Sequence, residues 1–177
     1  MKISISPFKF FLQGLGVGIV VALYSSLLFS LIFFTYGYFT NPESFSPDSE
    51  SLSYTMLSFA LSILFFSLAS LVPCVVGGTI LSRWVYSDLE KGRFSVKSTV
   101  IKGASLGFVF SLGIFAIVVW GYINFPAHNG ILPPGGAMTV IHGYARAGIV
   151  GISTATLGGT WAGNKLAKFA QRYNTPQ

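Results

Sequence analysis

The sequence predicts an all-α integral membrane protein, a bundle of four transmembrane helices in a single domain over residues 1–177. Three observations predict it. Of 177 residues, 52% are hydrophobic and 9% charged, against about 25% charged in soluble domains. Mean hydropathy is +0.67. Charged residues are also missing from four stretches: between Lys9 and Glu43, between Glu50 and Arg83, between Lys102 and Arg146, and between Arg146 and Lys165. A helix crosses a bilayer with roughly 20 apolar residues, so the spans are expected at about 10–38, 54–81, 104–124 and 145–164.

Span one follows Lys2 and Lys9. Its apolar run exceeds the 7–15 residues of a signal-peptide core, and no Ala-x-Ala site follows it. It is therefore expected to stay in the protein. The connection near 39–53 carries Glu43, Asp48 and Glu50 and no basic residue. Span two leads into a basic loop, 82–103, with Arg83, Lys91, Arg93, Lys97 and Lys102. Span three leads into a loop, 125–144, that has no charge and holds Pro133-Pro134-Gly135-Gly136, which no regular helix crosses. Its apolar residues fit either a surface linker or a re-entrant segment. Span four ends at Lys165, Lys168 and Arg172. Ten of the eleven basic residues thus fall on one side of a four-span chain. The positive-inside rule makes that side the cytoplasm, with both termini there. The expected location is a plasma (inner) membrane or a thylakoid-like membrane.

The formal net charge of +6 reflects this loop bias rather than a nucleic-acid partner. The 82–103 loop is expected to contact anionic lipids. Cys74 is the single cysteine, which excludes an internal disulfide and a Cys-x-x-Cys redox pair. His128 and His142 lie outside the spans, so haem held between helices is not expected, and two histidines with one cysteine make a poor metal set. No Asp or Glu falls within a span, which counts against proton-coupled transport such as that of small four-span exporters. Neither a catalytic triad nor an H-E-x-x-H pattern occurs. No cofactor is expected, and the chain is expected not to be an enzyme.

Small residues recur every fourth position, and that spacing puts them on one helix face. Span one carries Gly14, Gly18, Ala22, Ser26 and Ser30; span three carries Gly103, Gly107 and Ser111. Span two has a broken ridge, Ser58, Ser62, Phe66, Ser70, Cys74 and Gly78. Span four has the longest, Gly143, Ala147, Gly151, Ala155, Gly159 and Gly163. Such ridges let helix backbones approach closely where lipid supplies no hydrophobic push. The packing residues expected are Gly14, Gly18, Ala22, Gly103, Gly107, Gly151, Ala155, Gly159 and Gly163. Gly-x-x-x-Gly opens spans one and three, at Gly14 and Gly103; Gly-Gly-Thr closes spans two and four, at Gly77 and Gly158. Aromatic clusters close the odd spans, at Tyr36, Tyr38 and Phe39 and at Trp120, Tyr122 and Phe125. The pattern reads as two hairpins in tandem.

Span four also carries a polar line, Thr156, Thr160 and Asn164, and a further line that holds His142, Arg146 and Thr154. Arg146 is expected to pair with a lipid phosphate or with Glu43, Asp48 or Glu50, or to hold an anion beside His142. The function expected is that of an accessory, assembly or structural subunit in a homo- or hetero-oligomer of membrane helices. The alternative is a small channel or carrier protomer whose copies form a passive pathway lined by Arg146, Thr156, Thr160 and Asn164.

Overall fold

The computed structural model describes residues 6–40, 49–124 and 136–173, and within them the side chains of 6–36, 38–39, 53–117, 119–120 and 145–173. Over the described residues the fold is all-helical, with four helices: α1 (Pro7–Thr40), α2 (Ser49–Glu90), α3 (Val96–Asn124) and α4 (Gly136–Gln171). Three are long and apolar enough to cross a membrane, over Pro7–Tyr36, Ser53–Glu90 and Val96–Ile117. The protein is thus a membrane protein. α4 has 36 residues, and its described part falls short of that apolarity, because the glycines and hydroxyls of its ridges replace large aliphatic side chains. At 1.5 Å per residue, α2, with 42 residues, is about 63 Å long, twice the roughly 30 Å of a bilayer core.

The helix ends follow from local chemistry. Ser6 caps α1: its hydroxyl accepts from the Phe8 amide at 3.2 Å and its carbonyl from Lys9 and Phe10, with Pro7 at the position where a missing N–H costs nothing. Gly92 ends α2 at φ 64°. Its amide donates to Leu89 and that of Arg93 to Asp88, the paired bonds that close a helix through a left-handed glycine. Ser95 opens α3 by accepting from the amide and the hydroxyl of Thr99.

Two expected boundaries change. The loop expected over 82–103 is mostly helix, leaving Lys91–Ser95 as the link. Leu81, Val85 and Leu89 form a buried stripe at helical spacing, so packing carries α2 past its last membrane-apolar turn while the charges face outward. The 125–144 segment is helical from Gly136, directly after the Pro-Pro-Gly; residues 125–135, including His128 and Phe125, lie outside the described residues.

α1 pairs antiparallel with α2, and α3 with α4. The hairpins join along an α1–α4 seam and touch more sparsely between α2 and α3. Lys9, Arg83, Lys97 and Lys168 mark one end of the bundle, the basic end; Tyr36, Tyr38 and Trp120 mark the other, the aromatic end. The core sits at the basic end, where Phe10, Leu81, Val85 and Leu166 are fully buried. Phe10 meets Tyr86 edge-on at 5.6 Å and Phe169 at 5.1 Å, so α1, α2 and α4 close on one ring. Beside it Lys102 bonds and pairs with Asp88 across the α2–α3 link.

Candidate functional site

Two seams and one cleft organise the interior. In the α1–α2 seam, a Cβ added at Gly14 would lie 2.5 Å from the Gly78 carbonyl oxygen, and one at Gly18 would lie 2.5 Å from that of Cys74. Real Cβ atoms essentially never come under 3.0 Å, so only glycine allows these backbones to stand where they do. Toward the aromatic end Ala22 is fully buried. The Ser26 and Ser70 hydroxyls there bond each other at 3.1 Å, and Ser62 donates to Ser30 at 3.3 Å. Phe66, which interrupts the small ridge of α2, meets Phe29 of α1 edge-on at 4.6 Å.

The α3–α4 seam starts in the same way. A Cβ at Gly103 would collide with the Gly159 carbonyl, and one at Gly107 with that of Ala155. One at Gly163 would lie 2.7 Å from the Thr99 carbonyl oxygen. Farther along, the Phe115 ring fills the space over Gly148. Gly151 differs from the other ridge glycines expected to pack. The nearest atom to a Cβ there is a ring carbon of Phe29 at 3.8 Å, an ordinary contact, so its face borders open space and not a backbone.

That space is a cleft of about 440 Å³ at the centre of the bundle, with all four helices contributing to its wall. It runs from Leu81, Gly103 and Ala162 near the basic end to Phe33, Ile114 and Phe115 near the aromatic end. Among the described residues no Asp, Glu, Lys, Arg or His lines it. Among its hydroxyls, Ser26 and Ser70 hold each other, Ser111 donates to Gly107, and Thr154 donates to Gly151. Pro73, also in the wall, has no N–H for the Ala69 carbonyl one turn back.

The residues proposed for a polar pathway are not gathered on this cleft. Thr156 donates to Ile152 and Thr160 to Thr156, each within α4. Bonding back to the own helix satisfies a hydroxyl without any neighbour. Asn164 is exposed near the basic end. Arg146 is exposed at the aromatic end, where it donates to the Tyr36 hydroxyl and stands 5.4 Å from the centre of that ring. This α1 partner was not anticipated from the sequence, although an aromatic cluster at the end of span one offered the signal. Glu43 and Asp48 lie outside the described residues, and the side chains of Glu50 and His142 are not described. Among the described residues no three His, Cys, Asp or Glu side chains are grouped to hold a metal ion. Among the described residues the lining of the cleft is suited to apolar contact. Comparison with protein families, with curated proteins and with solved structures finds no match to this chain.

Proposed function

We propose that the chain is a non-enzymatic multi-pass membrane protein that serves as an accessory or assembly subunit, joining other membrane helices by close packing. The observation that carries this reading is a pair of glycines on outward faces. A Cβ on Gly16 of α1 or Gly113 of α3 would meet nothing within 4 Å. Glycine inside a helix costs about 1 kcal/mol relative to alanine, and at these two positions the chain's own fold gains no close approach in return. An outside helix can come closest at such residues. α2 adds area. The most apolar window of its span has no buried residue, and Leu64, Leu68 and Val72 are 57%, 62% and 68% exposed.

In this reading the basic end and both termini face the cytoplasm, in a plasma (inner) or thylakoid-like membrane, and exposed Arg83, Arg93, Lys97 and Lys168 meet anionic lipids. The hairpins arose as a tandem pair. The repeated close approaches support this: Gly14 on Gly78 and Gly18 on Cys74 are matched, 89 and 81 residues on, by Gly103 on Gly159 and Gly107 on Ala155.

The reading is tested by native mass measurement of the protein carried from its membrane into nanodiscs. Wild type is expected to arrive bound to further membrane chains, its own copies or others, and Gly16→Leu with Gly113→Leu is expected to arrive alone. A wild-type chain that arrives alone retires the proposal. A liposome flux that Asn164→Leu abolishes would replace it with the passive pathway.

A further inference from the structure

The two seams that join the hairpins stand in equivalent register yet differ. On the α1–α4 side, Gly158 packs tightly against Val21 and Ser25. A Cβ on Gly158 would lie 2.8 Å from each of those side chains. The same offsets of 81 and 89 residues place Gly77 opposite Phe110 and Ile114 on the α2–α3 side. There a Cβ on Gly77 would meet the Phe110 ring at 3.4 Å. Valine and serine let α1 and α4 close; phenylalanine and isoleucine at the matching positions hold α3 off α2. The central cleft is the space this leaves.

We propose that this cleft is a binding site for one acyl chain of a bilayer lipid, entering sideways between α2 and α3. The claim goes beyond the assembly reading and does not depend on it. Three features select the occupant. The helix surfaces beside the opening, Leu68 and Val72 of α2 and Val109 and Leu112 of α3, are exposed and apolar, so the opening faces hydrocarbon and not water. Among the described residues the wall carries no charge; the hydroxyls of Ser26, Ser70, Ser111 and Thr154 are bonded, and that of Ser25, which has no partner, is buried out of a ligand's reach.

Shape makes the third selection. From Gly18 to Phe33 along α1 the cleft extends about 22 Å at helical rise, longer than the roughly 15 Å of one leaflet of a bilayer core. Spread over that length, a volume of about 440 Å³ is a slot a few ångströms wide, which suits an extended hydrocarbon chain better than a helix roughly 10 Å across. The buried Leu81 and Ala162 stop the chain at the basic end, which leaves its head group toward the aromatic end.

The test is lipid retention. The full-length protein, purified in mild detergent and given palmitoyl-oleoyl phosphatidylglycerol, is followed by native mass spectrometry through a delipidating wash. One phospholipid per chain is expected to survive. Gly151→Leu from the α4 wall and Ser111→Leu from the α3 wall fill the space from opposite sides and are expected to lower retention about tenfold, with helix content and melting unchanged. Gly113→Leu, on the outer face of α3, is expected to retain the lipid as wild type does, even if it loses partner chains. Should Gly151→Leu fail to fold, Ser111→Leu carries the comparison. Wild-type retention no higher than that of the filled variants overturns the proposal, as does a retained species that is a polypeptide or an isoprenoid.

Discussion

The α1–α2 and α3–α4 hairpins begin alike and end differently. Both start at the basic end with glycine against a facing backbone, Gly14 on Gly78 and Gly103 on Gly159. Toward the aromatic end the first hairpin continues with small hydroxyls in bonded pairs, Ser26 with Ser70 and Ser30 with Ser62. The second places a ring on a glycine, Phe115 over Gly148. Glycine fixes how near two helices come, and the residues beyond it decide whether hydrogen bonds are added to shape, since the first hairpin also packs Phe29 against Phe66. In lipid both are dispersion-assisted contacts with no hydrophobic term to aid them.

The largest break in this comparison should come at the shared end. Gly14→Leu, Gly78→Leu, Gly103→Leu and Gly159→Leu each drive a side chain into a facing backbone and should cost about 3 kcal/mol, the upper end for overpacking. Reversible unfolding in mixed micelles, followed by circular dichroism, measures this. A loss below 1 kcal/mol in either hairpin would show that its backbones part easily. Next, Phe115→Ala should cost about 2 kcal/mol, less than a fully buried phenylalanine, because Phe115 is half-buried. An equal loss from the exposed Phe108→Ala would remove the claim that shape holds the second hairpin. A smaller effect separates the hydroxyl pairs. A double-mutant cycle on Ser26→Ala and Ser70→Ala should give a coupling near 0.6 kcal/mol, typical of such bonds in membranes, and zero coupling would make each hydroxyl a local bond only. Smallest of all, Ser25→Ala should be neutral or stabilising by up to about 1 kcal/mol, since the Ser25 hydroxyl is buried without a partner. A clear destabilisation would reveal a partner for it.

The apolar stretches and the charge-free gaps made α1 and α3 legible from residue order, because a crossing helix must be apolar throughout its length. The same rule misjudged 82–103: Leu81, Val85 and Leu89 are core residues on a helix whose other faces carry charge, and apolarity averaged around such a helix hides its buried stripe. Spacing by fours identified the ridge of α4 but not which member touches a backbone. Gly159 does and Gly151 does not, since Gly151 faces the central cleft. The cleft was hidden for a related reason. It depends on Phe110 and Ile114 standing where the other seam has Val21 and Ser25, and a large apolar residue in a membrane helix reads as an ordinary lipid contact until its neighbour is known.

The ring contact between Phe10 and Phe169 sets an order of assembly. Each hairpin seam joins helices that are consecutive in the chain, so each can zip as soon as its second helix is inserted. The basic-end core cannot, since it closes residues from the start of the chain on residues near its finish. In a growing chain Phe10 can therefore pack on Tyr86 within the first hairpin, but it gains Phe169 only once α4 has been made.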